Sequence, residues 1–259
     1  MDRHVSHFVV AIAAVSVCIT SEKTSAQSYN ALAKSFADAS LIAHVAVTSA
    51  APIKADTEPG TARFYVESKV VALVKAPAPQ PPALALVVDL PRDSQGKAPK
   101  VKKAEWLIAA RGVAGQVQLT APPVVWTPDV EKRVRAIVTE RSAAGAPGAI
   151  RRVSGAFYSP GNVPGESETQ IFFDQAGGGR GSLSVLRRPG IGPAWSASFG
   201  EVASEGPPPA KDTLGWYRLV CGLPKTLPDT AIAELDETGR SAARADYGFV
   251  VTQLGRCDG

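Results

Sequence analysis

The sequence predicts an α+β, mainly β protein with two domains. Three observations support this fold class. Short apolar segments of strand character recur along the chain, Pro and Gly separate them, and apolar residues at helical spacing follow each group of strands. We predict a signal peptide over residues 1–26, a small β-barrel with a closing helix over 27–141, a linker over 142–149, and an antiparallel sheet with C-terminal helices over 150–259.

The N-terminus has the organisation of a secretory signal peptide. Arg3 lies in a short polar start, residues 8–19 form an apolar run, and a polar stretch ends at Ala26 with small residues at the −3 and −1 positions of a cleavage site. An apolar run of this length is too short to span a bilayer comfortably. We therefore predict cleavage after Ala26, and contact with a membrane only through this segment before cleavage. An uncleaved anchor and a lipid on Cys18 are the alternatives.

Composition and charge limit the classes of function. A hydrophobic content of 45% excludes a fully disordered chain, and no internal apolar run approaches the ~20 residues of a membrane span. The net charge of +4 is modest for 259 residues, so we expect no nucleic-acid partner. Frequent Ala, Pro and Arg residues indicate a high-GC bacterium, so the expected location is periplasmic or secreted.

The first domain is predicted to contain two helices and five strands. A short helix over residues 28–39 leads into the strands. The closing helix covers residues 128–141, because Thr127 is a suitable N-cap, Pro128 takes the first helical position, and acidic residues follow in the first turn. The five predicted strands cover residues 41–48, 62–74, 84–90, 104–110 and 116–120.

Five strands and a closing helix suggest a barrel, and three segments point to its type. A strand opens at residues 37–42 (ADASLI), a long strand with the run 63–66 (RFYV) ends near Lys75, and a later strand carries residues 105–108 (EWLI). In this order, residues 30–140 resemble the netrin-module and tissue-inhibitor-like OB barrels. The N-terminal cysteine through which inhibitors of that family engage a metal is missing here. The resemblance therefore implies an OB-like barrel and carries over no activity.

The second domain is predicted to open with a four-stranded antiparallel sheet. A glycine-rich run at residues 177–181 separates the second strand from the third, and we predict that it forms the tip of a hairpin. A phosphate-cradling loop is the alternative, but it would need a helix after it, and residues 182–186 alternate like a strand. The four strands cover residues 150–158, 168–174, 182–187 and 195–202.

Three helices are predicted to complete the second domain. Asp212 is the expected cap of the first, residues 228–236 form a weaker second, and residues 241–254 form the third, with Gly255 at its C-cap. A strand over residues 247–251 is the alternative within the third segment.

Two cysteines, Cys221 and Cys257, remain after the predicted cleavage. An even count in an oxidising compartment predicts a disulfide between them. The spacing is not C-x-x-C, so we expect a structural bond that holds the C-terminus and not a redox site.

Groups that could support catalysis are sparse. His44 is the only histidine left after cleavage, so a Ser-His-Asp triad would have to use it, although it lies within a predicted strand. A zinc site needs several Cys or His ligands, and we therefore predict no metal and no cofactor. Ser94 and Lys97 match S-x-x-K, but the match lies between two prolines and is predicted to be a polar turn.

Two groups of charged residues are candidate sites. Glu166 and Glu168 lie beside a predicted turn, and paired carboxylates can hydrolyse glycosidic bonds. Alternatively, Glu168 faces Arg187 across the hairpin in an exposed ion pair. The binding candidates are a lysine cluster and two arginines. The lysine cluster would contact an anionic envelope polymer, and the alternative is that it forms a solvated loop. The candidate residues are Lys97, Lys100, Lys102, Lys103, Arg187 and Arg188.

These observations predict an exported, non-enzymatic binding or accessory protein whose partner is an envelope protein or a glycan. The alternative is a carboxylate-dependent hydrolase of envelope polysaccharide or peptide, which would use Glu166 or Glu168. A purely structural envelope component is the third possibility.

Overall fold

Two antiparallel sheets and four α-helices make up the described part of the chain. The structure, a computed structural model, describes residues 27–54, 58–113, 116–200 and 206–257. It confirms the predicted α+β, mainly β fold class. The predicted signal peptide over residues 1–26, with its cleavage position, lies outside the described residues. Within the described ranges, the structure contains no helix with the length and apolar character needed to cross a membrane.

The described part of the N-terminal half contains two helices and six strands. Ser28 and Thr127 cap the two helices, because each hydroxyl accepts a backbone N–H from the first turn. A two-residue strand was not predicted, since two residues carry no periodicity. The elements are α1 (Tyr29–Phe36), β1 (Leu41–Pro52), β2 (Thr61–Lys75), β3 (Ala83–Pro91), β4 (Glu105–Val113), β5 (Gln116–Leu119), β6 (Val124–Val125) and α2 (Pro128–Ser142).

The first sheet curls toward a barrel. Its strand order is β3-β2-β1-β4-β5, with β6 on β4, and all pairs are antiparallel. The edge strands β3 and β5 lie beside each other, but no hydrogen-bonded ladder joins them within the described residues. This is the arrangement of a partly open barrel. Its interior is filled by side chains from every long strand, including Val45, Val66, Leu86 and Ile108.

Helices α1 and α2 cover the outer side of β1 and β4. Strand β1 is therefore buried on both faces, with Ala43 and Val45 inside the barrel and Ile42 under the helices. Phe36 of α1 and Ile137 of α2 are fully buried in this second apolar layer.

The C-terminal half contains four strands and two helices. The strands form one antiparallel sheet in the order β10-β9-β8-β7. The glycine-rich run lies at the tip of the β8–β9 hairpin, where Gly177 and Gly178 both have positive φ, a conformation that favours glycine. The elements are β7 (Ile150–Pro160), β8 (Ser167–Gln175), β9 (Arg180–Arg188), β10 (Ile191–Ser198), α3 (Leu214–Gly222), a 3-10 turn (Asp229–Ile232) and α4 (Glu237–Leu254).

Several predicted boundaries in this half are corrected. Strand β10 begins four residues earlier than expected, because a tight turn at Gly190, whose φ is +73°, pairs Ile191 with Arg188 directly. Thr213 caps α3 in place of Asp212, since the Thr213 hydroxyl accepts the Trp216 N–H. The expected second helix is a single 3-10 turn. The third segment is helical throughout, which excludes the alternative strand.

Helix α3 contacts both halves of the chain. Leu214 and Tyr217 pack with the helices of the N-terminal half, and Leu219 packs in the C-terminal core. The buried Arg218 donates to both carboxylate oxygens of Asp38, at 2.6 and 2.8 Å. Burial raises the pKa of Asp38, but the hydrogen bonds from Arg218 and Arg141 outweigh it and hold this pKa below its ordinary value.

The two cysteines predicted to form a disulfide lie next to each other, with Cys221 in the last turn of α3. Cys221 and Cys257 lie in disulfide-bonding geometry, with their Cα atoms 4.9 Å apart. The Asn30 side chain of α1 donates to the Cys257 carbonyl at 3.1 Å. Cys257 is therefore held against both α3 and α1.

Candidate functional site

The connection between β3 and β4, residues 92–104, carries the predicted lysine cluster. We call this segment the lysine loop. All four lysine side chains are exposed, and none has an ion pair or side-chain hydrogen bond with any residue that the structure describes. The loop therefore presents four uncompensated positive charges, on Lys97, Lys100, Lys102 and Lys103.

The first part of the lysine loop is held by a polar turn. The Asp93 carboxylate accepts the backbone N–H groups of Gln95 and Lys97, at 3.0 and 2.8 Å. Arg92 donates to the Gly96 carbonyl at 3.1 Å, and Gly96 has a φ of +75°. The S-x-x-K match lies within this turn, which agrees with its interpretation as a polar turn.

The second part of the lysine loop is held by the sheet. The Lys103 N–H donates to the Val47 carbonyl at 3.2 Å, and the Val47 N–H donates to the Ala104 carbonyl at 2.9 Å. Val101 is buried in the barrel interior and anchors the loop from below. Lys102 and Lys103 therefore lie on a fixed turn beside β1, and binding would not require the backbone to become ordered.

The structure gives Glu168 and Arg187 different partners, so the predicted ion pair across the hairpin is not formed. Arg187 pairs across the strands with Ser167, and its guanidinium donates to the buried Asp246 at 2.6 Å. Glu168 lies opposite Leu186 and accepts from the Gln170 amide at 2.7 Å. Side chains alternate between the two faces of a sheet. Because Arg187 is paired one position away from Glu168, the side chains of Glu168 and Arg187 lie on opposite faces.

Of the two candidate acids, Glu166 lines a pocket of about 450 Å³ together with Arg187, and Glu168 does not line it. Glu166 ends the β7–β8 turn, and its side chain lies against Gly161, where a Cβ atom would approach the Glu166 Cγ to 2.4 Å. Arg188 is exposed at the end of β9. The hydrolase hypothesis stays a prediction to which these contacts add nothing.

A polar network around His44 was not predicted. The buried ring stacks on Trp126, with centroids 4.2 Å apart and an interplanar angle of 6°. Its Nε2 atom is 2.9 Å from Glu105 Oε2, and its Nδ1 atom is 3.9 Å from Glu131 Oε2. Trp126 and Arg135 also donate to Glu131. The members come from β1, β4 and α2 and from the segment between β6 and α2, so no local sequence signal indicates the network.

Within the described residues, no three His, Cys, Asp or Glu side chains are grouped as metal ligands. Both ring nitrogens of His44 face carboxylates, and no described serine lies in this network. The network therefore joins the barrel to α2 and offers no arrangement for nucleophilic catalysis.

We expect the Trp126→Phe substitution to lower the free energy of unfolding by about 1.5 kcal/mol at pH 7, because it removes a hydrogen bond to a carboxylate. The hydrogen bond from Trp126, together with that from Arg135, holds the pKa of Glu131 below its ordinary value. A lowered pKa stabilises the fold above the unfolded pKa of about 4.3, and this stability is lost as the pH falls through the folded value. Urea denaturation at pH 7 and pH 3 measures the effect.

The loss in Trp126→Phe should shrink as the pH is lowered from 7 toward 3, because the carboxylate of Glu131 becomes protonated as the pH falls through its lowered pKa. Trp195→Phe is the matched control, since Trp195 has no carboxylate partner among the described residues. A loss of the same size at both pH values in Trp126→Phe would contradict the role given to Glu131.

No family model and no curated protein matches the chain. Among solved structures, the Ifi202 HINa domain in complex with 20-bp double-stranded DNA matches with 10% identity and a TM-score of 0.21, over 62% of this chain and 97% of that one. The p202 HIN1 domain in complex with 12-mer double-stranded DNA matches with 13% identity and a TM-score of 0.20, over 61% of this chain and 90% of that one.

Both matched domains are in complex with double-stranded DNA, so the prediction that nucleic acid is not a partner is not kept. That prediction relied on the net charge of the whole chain, which does not report how cations are arranged on one surface. At TM-scores of 0.21 and 0.20, the matches carry no argument about the ligand of this chain. The partner has to be inferred from the surface itself.

Proposed function

We propose that the chain is an exported, non-enzymatic binding protein whose lysine loop holds a polymer with repeating phosphate groups. The signal-peptide pattern of residues 1–26 supports export to the periplasm or the cell exterior. The observation that carries the proposal is the absence of any carboxylate partner for the four loop lysines within the described residues.

The chemistry of lysine is suited to phosphate as the ligand group. A lysine ammonium is a compact, strongly hydrated point charge that binds phosphate without the fixed two-pronged geometry that arginine uses for phosphates and carboxylates. A polymer with one negative charge per repeat carries condensed counterions, and lysines that replace them release these ions to solution. Because both ends of the lysine loop are held by hydrogen bonds, little ordering free energy opposes this gain.

The affinity for a phosphate polymer should fall steeply with salt. We choose double-stranded DNA as the probe because its charge density is known, at one negative charge per about 1.7 Å of helix axis. If all four lysines contact phosphates, the logarithm of the binding constant should fall against the logarithm of the salt concentration with a slope of about −3.6. Fluorescence anisotropy measures this slope. The protein is isolated from the periplasm or the medium of producing cells, and its N-terminal residue should be Gln27.

Replacing the four loop lysines by Gln should bring the salt dependence close to zero without changing thermal unfolding. The matched control replaces four exposed lysines elsewhere by Gln, with the same change in net charge. Equal losses of affinity in both variants would show that binding follows net charge and would overturn the proposal. So would binding of a polycarboxylate that is as tight as binding of DNA. The control residues are Lys34, Lys54, Lys132 and Lys225.

A further inference from the structure

The outer face of the C-terminal sheet has a shallow pocket of about 440 Å³. This volume lies in the range of small-molecule sites. The pocket crosses β7, β8 and β9. Phe172 and Asp174 line it from the sheet face opposite the core residue Ile171, and the buried Phe173 and Gly181 also contribute to its lining. The pocket is separate from the lysine loop, which belongs to the other sheet.

Three charged residues form a row along one side of the pocket. Arg152 on β7 and Arg180 on β9 are both paired in register with Asp174 on β8. Arg152 donates to the Asp174 carboxylate at 2.7 Å. This hydrogen bond holds the pKa of Asp174 below its ordinary value, so the carboxylate is ionised at neutral pH. Two cations around one anion leave the row with a net positive charge.

Arg180 is the unsatisfied member of the row. Its side chain is exposed, and its guanidinium has no hydrogen bond or ion pair with any residue in the described ranges. Asp174 is hydrogen-bonded to Arg152, and Arg180 acts on it only through its charge. The guanidinium of Arg180 is therefore free to donate two parallel hydrogen bonds to a phosphate or carboxylate group.

An aromatic ring lies next to this charge. Phe172 is 39% exposed and is the register neighbour of Gly155 on β7 and Ser182 on β9. Neither neighbour has a side chain large enough to cover the ring. A Cβ atom built on Gly155 would lie 3.9 Å from the Phe172 ring. Because Gly155 has no side chain, the space beside this ring stays open and is part of the pocket.

We propose that this pocket binds a small anion that carries a planar ring, with the ring against Phe172 and the anionic group at Arg180. Offset stacking on Phe172 and charge-assisted hydrogen bonds from Arg180 act together on such a ligand. A ring without a charge would lose the contact with Arg180, and an anion without a ring would lose the contact with Phe172. This site is additional to the polymer-binding function of the lysine loop.

AMP, adenosine and inorganic phosphate test the two halves of the proposal. AMP has both the ring and the anion, adenosine has the ring alone, and phosphate has the anion alone. By isothermal titration, AMP should bind about tenfold or more tightly than either of the others. Arg180→Gln should reduce the affinity for AMP to that for adenosine, and Gly155→Val should weaken both by filling the space over Phe172.

Two control substitutions keep this test specific. Arg188→Gln removes an exposed positive charge from the other end of β9, and Gly192→Val adds a side chain on β10 where nothing lies within 4 Å. Neither should change the affinity for AMP. Equal binding of AMP and adenosine, or equal losses in Arg180→Gln and Arg188→Gln, would overturn the proposal. AMP binding should persist in the variant that lacks the four loop lysines, which separates this site from the polymer-binding surface.

Discussion

We expect the Asp246→Ala substitution to lower the free energy of unfolding by about 3 kcal/mol. Asp246 lies on α4 and is fully buried. Its two carboxylate oxygens accept from Thr169 at 2.5 Å and from Arg187 at 2.6 Å. Removing the carboxylate leaves the Thr169 hydroxyl without its acceptor and the half-buried guanidinium of Arg187 without its counter-ion. The cost is the desolvation of these two groups, added to the lost contact between α4 and the sheet.

Urea denaturation of the purified protein at pH 7 measures this loss. The matched control is Asp229→Ala, which removes a carboxylate that is 87% exposed and pairs with Arg244 at 2.8 Å. An exposed pair contributes less than about 1 kcal/mol. If both variants lose the same stability, the buried contact is not what holds α4 on the sheet.

The second large effect is expected at the two cysteines. Replacing Cys221 and Cys257 together by Ala should lower the free energy of unfolding by about 3–4 kcal/mol, because their 36-residue separation closes a loop in the unfolded chain. Reduction of the unsubstituted protein should produce a similar loss, so the reduced protein is the internal control. Thermal unfolding with and without reductant makes the comparison.

The intact mass of the purified protein provides an independent check on this effect. A mass that corresponds to two free thiols would contradict the bond directly. A double variant that is as stable as the oxidised protein would show that α3, α4 and the Asn30 contact are sufficient to hold the C-terminus.

Local signals in the sequence predicted most elements of this fold. The Thr127 cap and Pro128 indicated the start of α2, and the glycine-rich run indicated the β8–β9 turn, because each depends on a few neighbouring residues. The boundary errors at β10 and α3 also come from local signals. One arose from a tight turn at Gly190, and the other from a choice between two adjacent capping residues.

The contacts that form the candidate sites depend on register and could not be predicted in the same way. A shift of one position separates Glu168 from Arg187, and the same alternation brings Arg152 and Arg180 to one carboxylate, that of Asp174. Two bulges in β7, one on each side of Arg152, alter its pairing with β8 around this row. The lysine loop was visible in the sequence because its charges are neighbours along the chain. Whether an acidic residue pairs with these lysines depends on which distant parts of the chain lie beside the loop, and the sequence does not show this.

The position of α3 determines when the outer apolar layer of the first sheet becomes covered during synthesis. The strands and helices of the first sheet end at Ser142, but their outer apolar layer includes Leu214 and Tyr217 of α3. Until that helix has been made, Phe36 and Ile137 belong to a layer that lacks part of its cover. A nascent chain therefore carries an exposed apolar surface throughout the synthesis of the second sheet. During that interval, the exposed apolar layer makes the chain prone to aggregation.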